Sequence, residues 1–213
     1  MKKMFSLILA AALCFSFTAC GGNGNETQQG ENSTAETVVA KKLNRSIYDE
    51  VNGCYTNSYT QLTVTPPGDW YIYSDNDLAM AYLGGSVTGD EFAMWTAADF
   101  KNKVIIPDFA FQDMANSNNM SVVYINLDNL ENGADMDETA FLNLVAETKG
   151  TEGFGADQEM YATVCGRDFK LLQLTGENHN IYMLAKKQDN YMIVITATDR
   201  TAAGKEMFLG FIG

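Results

Sequence analysis

The chain has 213 residues, 14 Lys+Arg against 27 Asp+Glu, and a formal net charge of −13. That length suits one domain, and a domain of this size buries about 70% of its unfolded surface, so its core needs no staple. The acidic balance argues against a nucleic-acid partner, whose phosphates need clustered Lys and Arg, and against electrostatic docking on anionic lipid.

The N-terminus carries a targeting signal. Met1-Lys2-Lys3 precedes residues 4–17, an apolar run with no charge. A positive start and a short apolar run make the layout of a secretory signal. A spanning helix needs ~20 residues. A core helix would be apolar on one stripe only, and this segment is apolar all round. The run ends at Thr18-Ala19-Cys20-Gly21, small residues around a cysteine. This resembles the lipobox of bacterial lipoproteins. The resemblance implies cleavage before Cys20 and a diacylglyceryl group on its sulfur. Phe17 stands where that family usually has Leu. The competing Cys14 follows Leu13, which is too large for the cleavage position. Two acyl chains give a stable anchor where one does not.

Residues 21–36 are Gly, Asn, Gln, Thr, Ser and Glu with almost nothing apolar. Such a segment stays disordered and serves as a flexible tether. The expected division is therefore a signal peptide over 1–19, the lipidated Cys20 with its tether over 20–46, and a single globular domain over 47–213. Loss of residues 1–19 removes Lys2 and Lys3 and no acid, so 12 basic face 27 acidic groups and the charge becomes −15.

Within the domain, residues 53–56 and 61–65 read as short strands, the second stopped by Pro66-Pro67-Gly68. Trp70 follows the turn and is expected in the core. Ser74 is an N-cap, acids fill the first turn after it, and Gly84-Gly85 closes that helix. Thr88-x-x-Glu91 fits a capping box opening a second helix to about Lys101. Residues 108–114 and 121–127 read as strands joined by a turn at 116–119. A third helix is expected over 137–149, with Phe141, Leu144, Val145 and Thr148 on one face. Four strands follow, over 158–164, 168–175, 181–187 and 191–198. Asp189-Asn190 is a two-residue turn between the last pair. Asp199 is expected to cap a final helix carrying Ala203, Met207, Phe208 and Phe211. Short turns between consecutive strands mean an antiparallel sheet. Strands apolar on both sides, such as 191–195, need cover on both faces. The fold class is α+β, an antiparallel sheet flanked by helices on both faces.

Tyr55-x-Asn57, the 62–64 strand, "PPGDWYIYSDNDLAM", "DFAFQDMAN" and "GRDFKLLQ…YMLAKKQDNYMIVITAT" resemble a group of small lipoproteins of Gram-positive bacteria. Their domains have a PsbP-like α/β/α sandwich, and the similarity covers most of residues 53–211. It implies a fold and a surface location and carries no catalytic motif.

The chemistry-bearing residues are few. His179 is the only histidine, in the polar turn "GENHN". A Ser-His-Asp or Cys-His arrangement would have to use it. Gly84-Gly85-Ser86-Val87-Thr88 has Thr where a nucleophile elbow needs its second Gly. After Cys20 there remain Cys54 and Cys165, either a disulfide or two independent thiols. One His and two distant Cys do not make a zinc site. "DNLENGADMDET" resembles a calcium loop at Asp128, Asn132 and Gly133, but has Leu130 and Thr139 where oxygen ligands are needed. Asp135, Asp137 and Glu138 read more simply as helix-start acids. Gly150, Gly153 and Gly155 follow a helix, where a phosphate cradle should follow a strand.

No catalytic, cofactor or metal residue is assigned; Cys20 is the one site residue. The expected function is a non-enzymatic ligand- or protein-binding module. It is lipid-anchored on the extracellular face of the cell membrane and has an envelope protein as a possible partner. Alternatives are an envelope hydrolase without a recognisable motif and an accessory subunit of a transporter.

Overall fold

Alternation in the last long strand organises the molecule. Along Tyr191–Asp199 every position from Met192 to Asp199 is buried. Met192 and Val194 enter one apolar set, while Ile193, Ile195 and Ala197 enter another. Side chains alternate across a strand, so both faces of this sheet are covered. The computed structural model describes residues 42–213, the side chains at 158 and 159 excepted.

Among the described residues ten strands and five α-helices follow in order. They are β1 (Ile47–Asp49), β2 (Cys54–Thr56), β3 (Thr63–Val64), β4 (Tyr71–Ile72), α1 (Asp75–Leu83), α2 (Gly89–Ala93), α3 (Ala97–Phe100), β5 (Ile105–Gln112) and β6 (Asn119–Asn126). Then come α4 (Glu138–Gly150), β7 (Gly155–Val164), β8 (Arg167–Thr175), β9 (Asn180–Gln188), β10 (Tyr191–Asp199) and α5 (Lys205–Leu209). The main sheet has seven strands in the order β4-β5-β6-β10-β9-β8-β7, and all its pairings are antiparallel. A separate antiparallel meander joins β1, β2 and β3.

On one face, α1, α2 and α4 bring Leu78, Phe92, Phe141 and Val145 onto Val123, Leu172, Met183 and Val194. On the other, Phe100 of α3, Val64 of the meander and Phe208 of α5 meet Phe111, Tyr124, Leu184 and Ile195. The fold class is α+β, an antiparallel sheet between two layers that each contain helices. Among the described residues no helix is long and apolar enough to cross a membrane.

The caps behave as read. Ser74 and Asp77 form a reciprocal capping box, and Gly84 ends α1 at φ 61°. Asp137 caps α4 by accepting from the Ala140 N–H at 2.7 Å. Trp70 packs on Phe111 and Phe211 in the second apolar set. The helix expected from Thr88 to about Lys101 is instead two short ones. The first ends at Met94, and Thr96 with Asp99 forms a fresh capping box for α3. A competing cap inside a helical stretch captures the backbone N–H groups and restarts the helix. Asp199 does not cap the last helix. Its carboxylate accepts from the N–H groups of Thr201, Ala203 and Gly204, holding the approach loop, and Gly204 precedes α5. Ala203 and Phe211 therefore lie outside the helix, which ends at Leu209. The strands β1 and β4 were absent from the expected order.

The domain also begins earlier than residue 47. Leu43 is buried and Arg45 and Ser46 are held by the sheet, so residues 43–46 are part of the folded unit. Composition placed them with the tether because three of the four are polar. Signal peptide, Cys14, Cys20 and the tether up to residue 41 lie outside the described residues.

Candidate functional site

The site begins with a defect in the sheet. Register shifts between Pro107 and Phe109 on β5, so Asp108 is an extra residue opposite β6. Proline has no N–H for the ladder, and a bulge re-aims a side chain. Ile106, Phe109 and Phe111 all enter the same apolar set although 106 and 109 differ in parity. The bulge thus adds one carboxylate to a face that strict alternation would leave apolar.

The neighbouring edge is open. β4 pairs only with Phe111 and Gln112. Lower on β5, residues 45–46 cover the edge instead, as unpaired strand edges require. Arg45 Nη2 donates to the Asp108 carbonyl at 3.0 Å. The Ser46 N–H donates to Asp108 Oδ1 at 2.5 Å and its hydroxyl to Oδ2 at 2.7 Å. The Tyr124 hydroxyl donates to the same Oδ2 and accepts from Asn57 Nδ2 at 3.0 Å. Asn57 also donates to the Asn44 carbonyl at 2.8 Å, tying the strap of residues 43–46 to the turn after β2.

Asp108 is 2% exposed. Burial pushes its carboxyl above the ordinary aspartate value, against the pull of Ser46, Tyr124 and Arg45. Burial and the Asp108 carboxylate push the Tyr124 phenol far up as well. Desolvation outweighs hydrogen bonding here because taking a carboxylate out of water disfavours its charged form more than three donors favour it.

Above this buried network lies a cleft of ≈460 Å³. Arg45, Tyr48, Tyr55, Asp75 and Trp95 supply its side-chain chemistry, and Asp108 forms part of its lining. Arg45 Nη2 pairs with Asp75 Oδ1 at 2.6 Å, and its guanidinium carbon lies 4.1 Å from the Phe92 ring centroid. The side chains are 20% and 37% exposed, so this is a partly screened pair positioned by cation–π contact. Tyr55 stacks on Phe109 at 4.5 Å and tilts against Tyr48 at 4.9 Å. Burial raises the Tyr55 phenol to about 12, so it stays a neutral donor at physiological pH. Trp95 meets Phe92 edge-on at 5.1 Å and carries Lys103 Nζ 4.5 Å over its ring.

The residues singled out from sequence do not converge on this cleft. His179 lies edge-on to Phe154 at 5.2 Å and is not in the cleft lining. Burial, with Arg200 and Lys149 nearby, lowers its imidazole pKa. Cys54 and Cys165 are both free thiols, so the open choice resolves to independent cysteines. In the calcium-like segment Leu130 is buried, Asp128 accepts from Asn190 at 2.6 Å, and Thr139 accepts from Lys170. Glu138 accepts the Lys187 N–H at 2.9 Å. These acids act as links between the α4 approach and the sheet. Gly150 ends α4 and Gly153 turns the loop with φ 91°. Arg45, Ser46 and Asp108 escaped the sequence reading. The one local signal was a proline followed by an acid within an apolar strand.

No protein-family model matches the chain, and no curated protein matches it significantly. Among solved structures it is similar to cyanobacterial PsbP (CyanoP) from Synechocystis sp. PCC 6803. The TM-score is 0.41 with 13% identity over 84% of this chain and 92% of that one.

Proposed function

We propose that this chain is a lipid-anchored cell-surface protein, held on the extracellular face of the membrane by diacylglyceryl on Cys20. Its domain is a non-enzymatic binding module that uses the Arg45–Asp75 cleft. The observation that carries the reading is the strap. The segment that emerges from the tether supplies one wall of the cleft, and it is fixed there by a buried carboxylate rather than by apolar packing alone. Burial holds the Asp108 carboxyl above its ordinary value even with its hydrogen bonds made, so this wall carries a desolvation cost that a passive surface does not require.

The non-enzymatic reading rests on the state of the reactive groups. Both Asp108 oxygens already accept hydrogen bonds, and the Ser46 hydroxyl is committed to that carboxylate, which is only 2% exposed. No histidine lines the cleft to take its proton. The test is expression of the full chain and its Cys20→Ala variant in a Gram-positive host. Wild type should partition into membranes with a diacylglyceryl adduct on an N-terminal Cys20, by intact mass. The variant should be released or retain its leader. Wild-type chain recovered unmodified, or cleaved elsewhere, sinks the anchoring half of the proposal.

A further inference from the structure

We propose that the cleft takes a neutral polyhydroxylated ring, the chemistry of a sugar residue, with an apolar ring face on its tyrosines and hydroxyls on Arg45 and Asp75. This rests on the reading of the cleft as a binding site and names the ligand class.

Charge comes first. Arg45 and Asp75 are 2.6 Å apart and neutralise each other. Arg45 Nη2 is already committed to Asp75 and to the Asp108 carbonyl. A phosphate or carboxylate is gripped by two parallel guanidinium N–H groups, and that fork is not available here. A cationic ligand would have to share the cleft with the guanidinium itself. Neither strong anions nor cations fit.

The remaining hydrogen-bonding capacity is mixed. Among the described residues Arg45 Nη1 makes no hydrogen bond, and neither does Asp75 Oδ2. The hydroxyls of Tyr48 and Tyr55 are likewise without partners among the described residues. Arg45 Nε is buried without one as well. The cleft therefore offers donors through Arg45, an acceptor through Asp75, and phenols that serve as either. A ligand that answers this set carries groups that both donate and accept at several points. A hydroxyl does so from a single atom, whereas an amide must turn its N–H and its C=O to separate partners.

Shape completes the case. Tyr48 is 41% exposed and lines the cleft beside Tyr55 and Trp95, whose rings are partly covered by Phe109 and Lys103; an exposed aromatic ring with a polar edge suits partners that are apolar on one side and wet on the other. The C–H faces of a pyranose ring have that character. A cleft of ≈460 Å³ lies within the ordinary range for small-ligand sites and admits one or two such rings.

Trp95 makes the test direct. The chain has two tryptophans. Trp95 lines the cleft, while Trp70 is not in its lining and packs on Phe111 and Phe211. The full chain in detergent is titrated with the methyl glycosides of glucose, galactose, mannose and N-acetylglucosamine, and with chitobiose. Sodium phosphate, tetramethylammonium and glycine are run in parallel. At least one saccharide should change the emission saturably, and the three charged probes should not. Trp95→Phe should abolish the response. Tyr48→Ala, at a 41% exposed position, should melt like wild type and weaken binding about tenfold or more. Silence of every saccharide overturns the proposal, as does a response that survives Trp95→Phe. If phosphate, tetramethylammonium or glycine binds instead, the sugar assignment falls and the cleft stands as a site. If no probe of any class binds, the cleft reading falls with it.

Discussion

Asp108 accepts both the backbone N–H and the hydroxyl of Ser46, at 2.5 and 2.7 Å, across 62 residues of sequence. That pairing closes the strap over the exposed edge of β5. Ser46→Ala removes the hydroxyl and leaves Asp108 Oδ2 with Tyr124 alone. An under-satisfied buried acceptor costs about 1–3 kcal/mol. Thermal unfolding of Ser46→Ala should show a loss in that range, and Ser46→Thr should recover part of it. A Ser46→Ala chain that melts with the wild type would show that the strap is not held by this bond.

Asp108 and Asp199 should bend the stability–pH curve in opposite directions. Burial sets the folded pKa of Asp108 above its ordinary 3.8. A raised folded pKa means that ionisation is harder in the folded state, so its contribution is full below 3.8 and is lost as pH rises through the folded value. The groups facing it are Ser46, Tyr124 and Arg45, with Asp75 and Tyr55 beyond. Asp199 is also penalised by burial, but N–H donors from Gly204, Thr201 and Ala203 outweigh it and lower its pKa. Its contribution is present above 3.8 and lost as pH falls. Denaturant midpoints measured across pH should show Asp108→Asn flattening the descent above 3.8. Asp199→Asn should flatten the loss on the acid side. The same descent in Asp108→Asn as in wild type would mean that Asp108 ionises without penalty.

Much of this architecture is written locally. Ser74 and Asp137 cap the helices that the sequence assigns to them, because an N-cap acts on backbone two or three residues away. Asp189 takes φ 51° in the turn that joins β9 to β10, as a two-residue hairpin demands. The Thr96-x-x-Asp99 box was equally local, and it loses to Thr88-x-x-Glu91 only if one helix is assumed. The cleft was not legible for a different reason. Its members come from positions 45, 55, 75, 95 and 108, and nothing near any of them in sequence marks the others. The strap was hidden by composition: Asn44, Arg45 and Ser46 look like linker, and they are ordered by contacts that exist only once β5 has bulged.

Cysteine chemistry should separate the two thiols. Cys54 is buried and Cys165 is half-exposed, its sulfur near the carbonyls of Thr63 and Gly213. Site-resolved mass spectrometry after brief labelling with a maleimide should find Cys165 modified and Cys54 protected until the domain unfolds. Melting points with and without dithiothreitol should coincide, since loss of a native disulfide costs about 2–5 kcal/mol and would shift them by many degrees. A reductant-dependent shift would mean that the two cysteines are bridged.

The C-terminal segment should be indispensable although its helix is only Lys205–Leu209. Phe208 is buried against Tyr182 and Phe211, and Phe211 reaches Phe111 on β5 and Trp70. Beyond the helix, Ile212 bridges Val64 and the Gly213 N–H donates to Thr63, so the chain end is stitched to the meander. One short element thus joins the main sheet to the small one. Truncating a buried Phe typically costs about 3–5 kcal/mol, against a total of about 5–15 kcal/mol for a domain. Phe208→Ala should lower the denaturant midpoint by that order and keep a cooperative transition. Deleting residues 203–213 should remove several such contacts at once and expose Ile193, Ile195 and Phe111, giving an aggregating or non-cooperative chain. The test is made on both variants side by side with far-UV circular dichroism and size-exclusion chromatography. A deletion that elutes as a monomer and unfolds like wild type would mean that β10 and its neighbours hold their second face without the C-terminal cover, and that the meander docks by its own contacts.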